Sequence, residues 1–158
     1  MRILVKYMEL GLMKKFELLN MDEEVLYKAK IDNKSMHRRV TMTDAYDNPV
    51  GKSELITSSF ITKSNMTDGK GEYIDEMSYR TGFHPKYISA ELAWEAQGEF
   101  SKWKYEVKDE YGERVMRVST ENPKDRKYYS LDIRDGEDIK YCCHFMLTVI
   151  AMESLKMS

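Results

Sequence analysis

The most continuous apolar pattern lies near the end of the chain. Tyr141 to Met152 reads Tyr-Cys-Cys-His-Phe-Met-Leu-Thr-Val-Ile-Ala-Met, interrupted only by His144 and Thr148. At 100° per residue its apolar side chains point nearly all round. That is the pattern of a helix enclosed on every side, not of a surface helix with one apolar stripe. Tyr141, Phe145, Met146, Leu147, Val149, Ile150 and Met152 are the expected structural core of this helix. Asp135-Gly136-Glu137-Asp138 comes before it. Glu137 and Asp138 suit its first turn, where carboxylates complement the macrodipole and an Asp caps free N–H groups. The expected helix, from about Asp138 to Ser154, must be wrapped by the rest of the chain.

What precedes it alternates with the period of strands and is punctuated by turns. Phe16-Glu17-Leu18-Leu19 leads through Asn20-Met21-Asp22-Glu23 to Val25, Tyr27, Ala29 and Ile31. Arg39 to Thr43 turns at Asp44 to Pro49 and resumes at Val50; Trp103 to Lys108 turns at Asp109 to Gly112 and returns at Val115. Ser58 to Lys63 and Glu72 to Ile74 flank Thr67-Asp68-Gly69-Lys70-Gly71, in a connection, Asn65–Gly71, that reads as long, and Leu92 to Ala96 reads as another short strand. Phe16–Asn20–Val25, Val40–Asp44–Val50 and Tyr105–Asp109–Val115 form a weak repeat: apolar residue, Asn or Asp turn, apolar residue. The repeated unit is a β-hairpin. Successive hairpins build an antiparallel sheet, and with a buried helix that sheet closes most simply into a barrel, the helix filling the lumen.

Length bounds this further. At 158 residues, with no linker or low-complexity block, residues 1–158 read as a single domain. A formal net charge of −2 gives no general drive toward nucleic acid. The two cysteines, Cys142 and Cys143, are neighbours inside the helix, where a disulfide is strained; they read as reduced thiols, which suits a cytoplasmic protein. The start lacks signal-peptide features, so the sequons at Asn33 and Asn65 read as chance matches. The helix is not expected to span a membrane. Its uninterrupted apolar part is about 18 Å long against a hydrocarbon core of about 30 Å, and extension brings in Asp138, Lys140, Glu153 and Lys156.

Several segments, in this order, resemble the LURP-one-related family of the tubby C-terminal-like superfamily. They are Lys15-Phe16-Glu17-Leu18, Pro85-Lys86-Tyr87-Ile88, Trp94 to Phe100, Tyr105-Glu106-Val107 through Asp109 to Gly112, Tyr128 to Ile133, and Asp135 to Asp138 leading into the apolar helix. The resemblance covers nearly the whole chain. It implies a closed antiparallel barrel of about twelve strands around a central hydrophobic C-terminal helix. The superfamily includes phosphoinositide-binding domains and phospholipid scramblases. No phosphoinositide-site motif, Asp-rich calcium loop or scramblase leader matches here, so those activities do not transfer residue by residue.

Candidate chemistry is sparse. His37, His84 and His144 have no metal-ligand spacing with the cysteines, and no cofactor is expected. Cys143 and His144 point about 100° apart on a helix and cannot pair as nucleophile and base. His144 and Thr148, at i and i+4 beside Lys140 and Tyr141, read as a core histidine bonded across to a strand, or as one side of a polar pocket lined by Trp94, Trp103 and tyrosines. Lys14-Lys15, His37-Arg38-Arg39 and Lys124-Asp125-Arg126-Lys127 are small basic groups, solvated surface unless they converge on an acidic headgroup. The expectation is a non-enzymatic binding or interaction module whose ligand the residues do not name; the superfamily resemblance implies peripheral binding of an anionic phospholipid, with a protein as the other candidate partner. The alternatives are a lipocalin-like carrier of an apolar small molecule and an enzyme with paired carboxylates inside the barrel.

Overall fold

The computed structural model describes residues 1–32, 38–57, 62–120 and 128–156. Twelve strands close a barrel in chain order, each antiparallel to both neighbours. They are β1 (Arg2–Leu10), β2 (Met13–Leu19), β3 (Val25–Asp32), β4 (Arg39–Asp44), β5 (Pro49–Thr57), β6 (Thr62–Asp68), β7 (Tyr73–Arg80), β8 (Lys86–Ser89), β9 (Glu95–Glu99), β10 (Lys104–Lys108), β11 (Arg114–Ser119) and β12 (Tyr128–Ile133). A 3-10 turn, Phe100–Lys102, joins β9 to β10, and the helix α1 (Ile139–Lys156) follows β12. This is the helix-threaded antiparallel barrel that the alternation and the apolar run implied. Because the strands run up and down in order, their connections fall alternately at two ends. The end where α1 begins is called proximal here, the other distal.

Four proximal hairpins use one device. The side-chain oxygens of Asn20, Asp44, Asp68 and Asp109 each accept the backbone N–H groups two and four residues on, all within 2.8–3.0 Å. The residue three on, Glu23, Asp47, Gly71 or Gly112, has φ between 64 and 84°. Its N–H returns to the carbonyl of the Asn or Asp at 3.0–3.2 Å, and the strand register shifts beside each turn. A type I turn closed by a left-handed residue and a bulge is the common three-residue hairpin connection. The Asp68 copy corrects the expectation of a long Asn65–Gly71 connection. β6 runs through Asp68, and only residues 69–72 connect it to β7. Residues 90–94, read as partly strand, are a loop closed by the Trp94 N–H on the Ser89 Oγ at 3.0 Å, with Ala93 at φ 55°.

The helix occupies the lumen. Phe145, Met146, Leu147, Val149 and Met152 are buried; Tyr141 and Ile150 are half-buried at its two ends. Large residues such as Ile3, Phe16, Ile31, Met42, Met77, Val107 and Leu131 pack on it from the wall. Small buried wall residues make room for it: Ala29, Ser53, Ser64, Ser89 and Ala96. Gly51 is the tightest such position, since a Cβ there would stand 2.9 Å from the His144 Nδ1. Each enclosed apolar side chain contributes roughly 1.5–3 kcal/mol, against a total stability of about 5–15 kcal/mol, so the barrel depends on its helix. Asp138 caps the helix: its Oδ1 accepts the Tyr141 N–H at 3.1 Å, and its carbonyl accepts the Cys142 N–H. Glu137, expected in the first turn, precedes the helix and pairs with Arg134. No helix among the described residues is long and apolar enough to cross a membrane.

Candidate functional site

The topology sorts the charges. The proximal connections, residues 20–24, 45–48, 69–72, 90–94, 109–113 and 134–138, carry twelve carboxylates against two cations, Lys70 and Arg134. The described parts of the distal connections, residues 11–12, 38, 81–85, 100–103 and 120, carry Arg38 and Lys102 and no carboxylate. Near that end the strands add Lys14, Lys15, Arg39, Arg80, Lys86 and Lys104, with Glu9, Asp32 and Glu99 interspersed. A net charge near zero thus conceals an acidic proximal end and, among the described residues, a basic distal one.

Exposed apolar side chains divide as well. Leu10 and Leu12 at the β1–β2 tip are about half exposed, and Phe83 in the β7–β8 connection is fully exposed. Met8 and Ile56 also face solvent toward this distal end. The large side chains exposed proximally are mainly Tyr46, Tyr73 and Tyr111, with Leu92 and Met1. Tyrosine hydroxyls can face water; Leu and Phe tips have no polar group to offer it.

A pocket of about 590 Å³ lies at the proximal end between α1 and the wall, lined among others by Trp94, Tyr141 and His144. Trp94 meets Tyr141 edge to face with centroids 5.0 Å apart. The Tyr141 O–H donates to the buried Asp75 carboxylate, whose other oxygen accepts the Glu76 and Glu91 N–H groups at 2.8 and 2.9 Å. The rim holds Asp68, Glu91, Glu137 and Asp138 against Lys140, which makes it a poor receiver of anions.

Of the residues singled out from sequence, His144 is satisfied across the lumen. Its Nε2 and the Thr148 Oγ1 each lie 2.8 Å from the Ser53 Oγ on β5, and the Thr148 O–H also donates to the His144 carbonyl at 2.8 Å. Desolvation lowers the His144 pKa to about 4, outweighing a backbone hydrogen bond with Lys52 that raises it. The ring is therefore neutral at physiological pH. Cys142 and Cys143 are buried free thiols; burial pushes Cys142 up to about 12 and Cys143 higher, which leaves both unreactive. The histidines and cysteines do not converge: His84 is exposed in the β7–β8 connection, and His37 lies outside the described residues. Among the described residues no three His, Cys, Asp or Glu side chains come together to hold a metal ion.

The described members of the basic groups share an end. Lys14 stands at the mouth of a small distal pocket while its neighbour Lys15 points to the outer face, and Arg38 and Arg39 lead into β4 at the same end. Lys124, Asp125, Arg126 and Lys127 lie outside the described residues. Trp103 stacks on Tyr129 with centroids 3.8 Å apart, and Phe16 adjoins it at 6.3 Å. Sequence reasoning missed Asp75 altogether, because its partners Tyr141 and Glu91 stand 66 and 16 residues away.

The fold and this division of its surface define an up-and-down barrel closed round its own helix, with two chemically distinct ends. No protein-family model and no curated protein matches the sequence. The structure is similar to the X-ray structure of a protein from Arabidopsis thaliana, with a TM-score of 0.59 and 12% sequence identity, over 98% of this chain and 91% of that one. At that identity the likeness shows a shared fold alone.

Proposed function

We propose that this protein is a non-enzymatic module of the LURP-one-related family that docks its distal end, reversibly, on an anionic membrane surface. The observation that carries the reading is the coincidence, at one end of the barrel, of apolar tips with connections whose described residues include no carboxylate. Leu12 and Phe83 stand on connections six strands apart, so the tips surround the rim instead of lining a groove. Points spread round a rim suit a flat partner. Each basic residue near an anionic leaflet contributes about 1 kcal/mol, and buried apolar tips add to it. The proximal end, crowded with carboxylates, is repelled by the same surface, which fixes the orientation. The shared fold with the Arabidopsis protein supports the family reading, and the filled lumen argues against a lipocalin-like carrier.

Vesicle sedimentation tests it. The protein should pellet with phosphatidylserine-containing vesicles, stay in solution with phosphatidylcholine alone, and be released by salt as exposed charges are screened. The double substitution Leu12→Asp with Phe83→Asp should abolish pelleting without changing the melting temperature. Failure to pellet with either vesicle, or equal binding by the double variant, contradicts the reading.

A further inference from the structure

The proximal end carries unbalanced charge. Of its twelve carboxylates, four have a cation within 3.6 Å: Asp47 pairs with Lys28, Asp109 and Glu137 share Arg134, and Asp135 faces the Met1 ammonium. The other eight have no ion pair among the described residues, and they lie on five of the six proximal connections. Like charges gathered at one end repel one another, and cations brought to them relieve that repulsion. The pocket of about 590 Å³ opens in their midst, with Asp68, Glu91, Glu137 and Asp138 on it against Lys140, beside Trp94 and Tyr141. Each of these four carboxylates has one oxygen engaged. The Asp68 Oδ1 holds its turn, the Glu91 Oε1 accepts the Tyr73 O–H at 3.1 Å, the Glu137 Oε1 accepts from Arg134, and the Asp138 Oδ1 accepts the Tyr141 N–H at 3.1 Å. The second oxygen of each accepts no hydrogen bond among the described residues. The connections on either side of the pocket, β4–β5 and β10–β11, present Tyr46 and Tyr111, which are 86% and 81% exposed. Tyrosine is enriched in protein-binding faces and in the residues that dominate their affinity.

We infer that the proximal end docks a basic segment of a partner protein, with one Arg or Lys side chain in the pocket and further cations of the segment on the carboxylates around it. The lining suits such a side chain. Leu92, Trp94 and Tyr141 offer apolar surface to its aliphatic stem, the carboxylates receive its charge, and an aromatic ring within about 6 Å of a cation adds attraction. The layout favours a polypeptide over a small cation. The β2–β3 connection, with Asp22, Glu23 and Glu24, stands six strands from the β8–β9 connection, halfway round the barrel, and the tyrosine tips stand outside the pocket. Complementary charge steers the encounter and rejects acidic partners. A membrane-docked barrel would turn this face away from the bilayer, but the inference does not rest on membrane docking, and either can fail without the other.

The test titrates the protein with an acetylated, amidated tetra-arginine peptide, with N-acetylarginine amide as the single-cation control, and follows the two indole N–H signals by NMR. Trp94 lines the proximal pocket and Trp103 the distal one, so each reports on its own end. The peptide should shift Trp94 saturably, leave Trp103 unmoved, and bind at least about tenfold more tightly than the control. Added salt should weaken it. Glu91→Gln, which keeps an oxygen for the Tyr73 O–H, should weaken the peptide about tenfold, the loss of one charge-assisted hydrogen bond, at an unchanged melting temperature. Glu24→Gln removes the same charge from an exposed side chain halfway round the barrel and should weaken it less than about twofold. The proposal is overturned if Trp94 does not shift or Trp103 shifts with it. It is overturned equally if the control binds as tightly as the peptide, which would make the pocket a small-cation site, or if the two variants weaken binding alike, which would make the attraction diffuse.

Discussion

The His144 Nε2 lies 2.8 Å from the Ser53 Oγ, so the one histidine of the enclosed helix is met by a hydroxyl from a strand ninety-one residues earlier. The pair fixes both the rotation of the helix and its depth in the barrel. It also keeps a titratable ring where a charge is poorly tolerated.

A pH dependence follows. Desolvation lowers the folded His144 pKa to about 4, below an unfolded value of about 6.5. The unfolded chain therefore takes up a proton first as pH falls. Stability present above pH 6.5 is lost down to about pH 4, by roughly 3 kcal/mol for a shift of this size. Urea unfolding at several pH values should show this loss, and His144→Gln should flatten it in that window. An unchanged slope in the variant would assign the dependence to other groups.

Gly51→Ala should destabilise the protein by about 1–3 kcal/mol, because the new methyl group meets the His144 ring at 2.9 Å. Combined with His144→Ala, the loss should be smaller than the sum of the two single effects. Strict additivity in denaturant melts would mean that the two sites do not share this space.

The turn aspartates set a second, more acidic window. Backbone N–H groups, that of Asn48 for Asp44 and that of Glu72 for Asp68, hold those carboxyls below their usual range. Asp109 is raised by desolvation but lowered further by the Glu113 and Tyr111 N–H groups and by Arg134. Depressed carboxyl pKa values give stability that is present above about pH 4 and lost as pH falls through the folded values. At neutral pH, Asp68→Asn should melt close to the wild type, since Asn20 already closes such a turn, while Asp68→Ala should melt lower. Equal melting of Asp68→Ala and wild type would remove the side chain from the account of the turn.

Tyr141→Phe should cost about 1–3 kcal/mol, because Asp75 stays buried and loses the hydroxyl it accepts from. Asp75→Asn in the Tyr141→Phe background should recover part of that loss by removing the charge. A Tyr141→Phe protein as stable as wild type would show that the backbone N–H groups satisfy Asp75 by themselves.

Much of this architecture is legible along the chain, for physical reasons. A twelve-residue run with apolar side chains on nearly every side demands an enclosure, and the alternation of Val25, Tyr27, Ala29 and Ile31 supplies a strand of its wall. The turns at Asn20, Asp44 and Asp109 are visible because apolar residues flank them. The fourth, at Asp68, is visible as a turn but reads too long, because β6 is polar throughout except for Met66 and does not announce itself as a strand. Loop residues 90–94 carry Leu92 and Trp94 and imitate a strand, since Trp94 is buried by Tyr141 and Phe145 and not by a pleat. The division of charge is invisible in a net value of −2; it appears only when alternate connections are assigned to alternate ends. The Asp75–Tyr141 contact depends on a pairing no local pattern encodes.

The claim at the centre of this account is that the two ends of the barrel differ and that the distal one meets the membrane. Leu12→Cys and Tyr111→Cys proteins, each labelled with a polarity-sensitive fluorophore, test it most directly. The native thiols are buried, so the parent protein should take up little label under native conditions. On addition of phosphatidylserine-containing vesicles, the probe at position 12 should shift to the blue and the probe at position 111 should not. A shift at position 111, or none at position 12, would contradict the account.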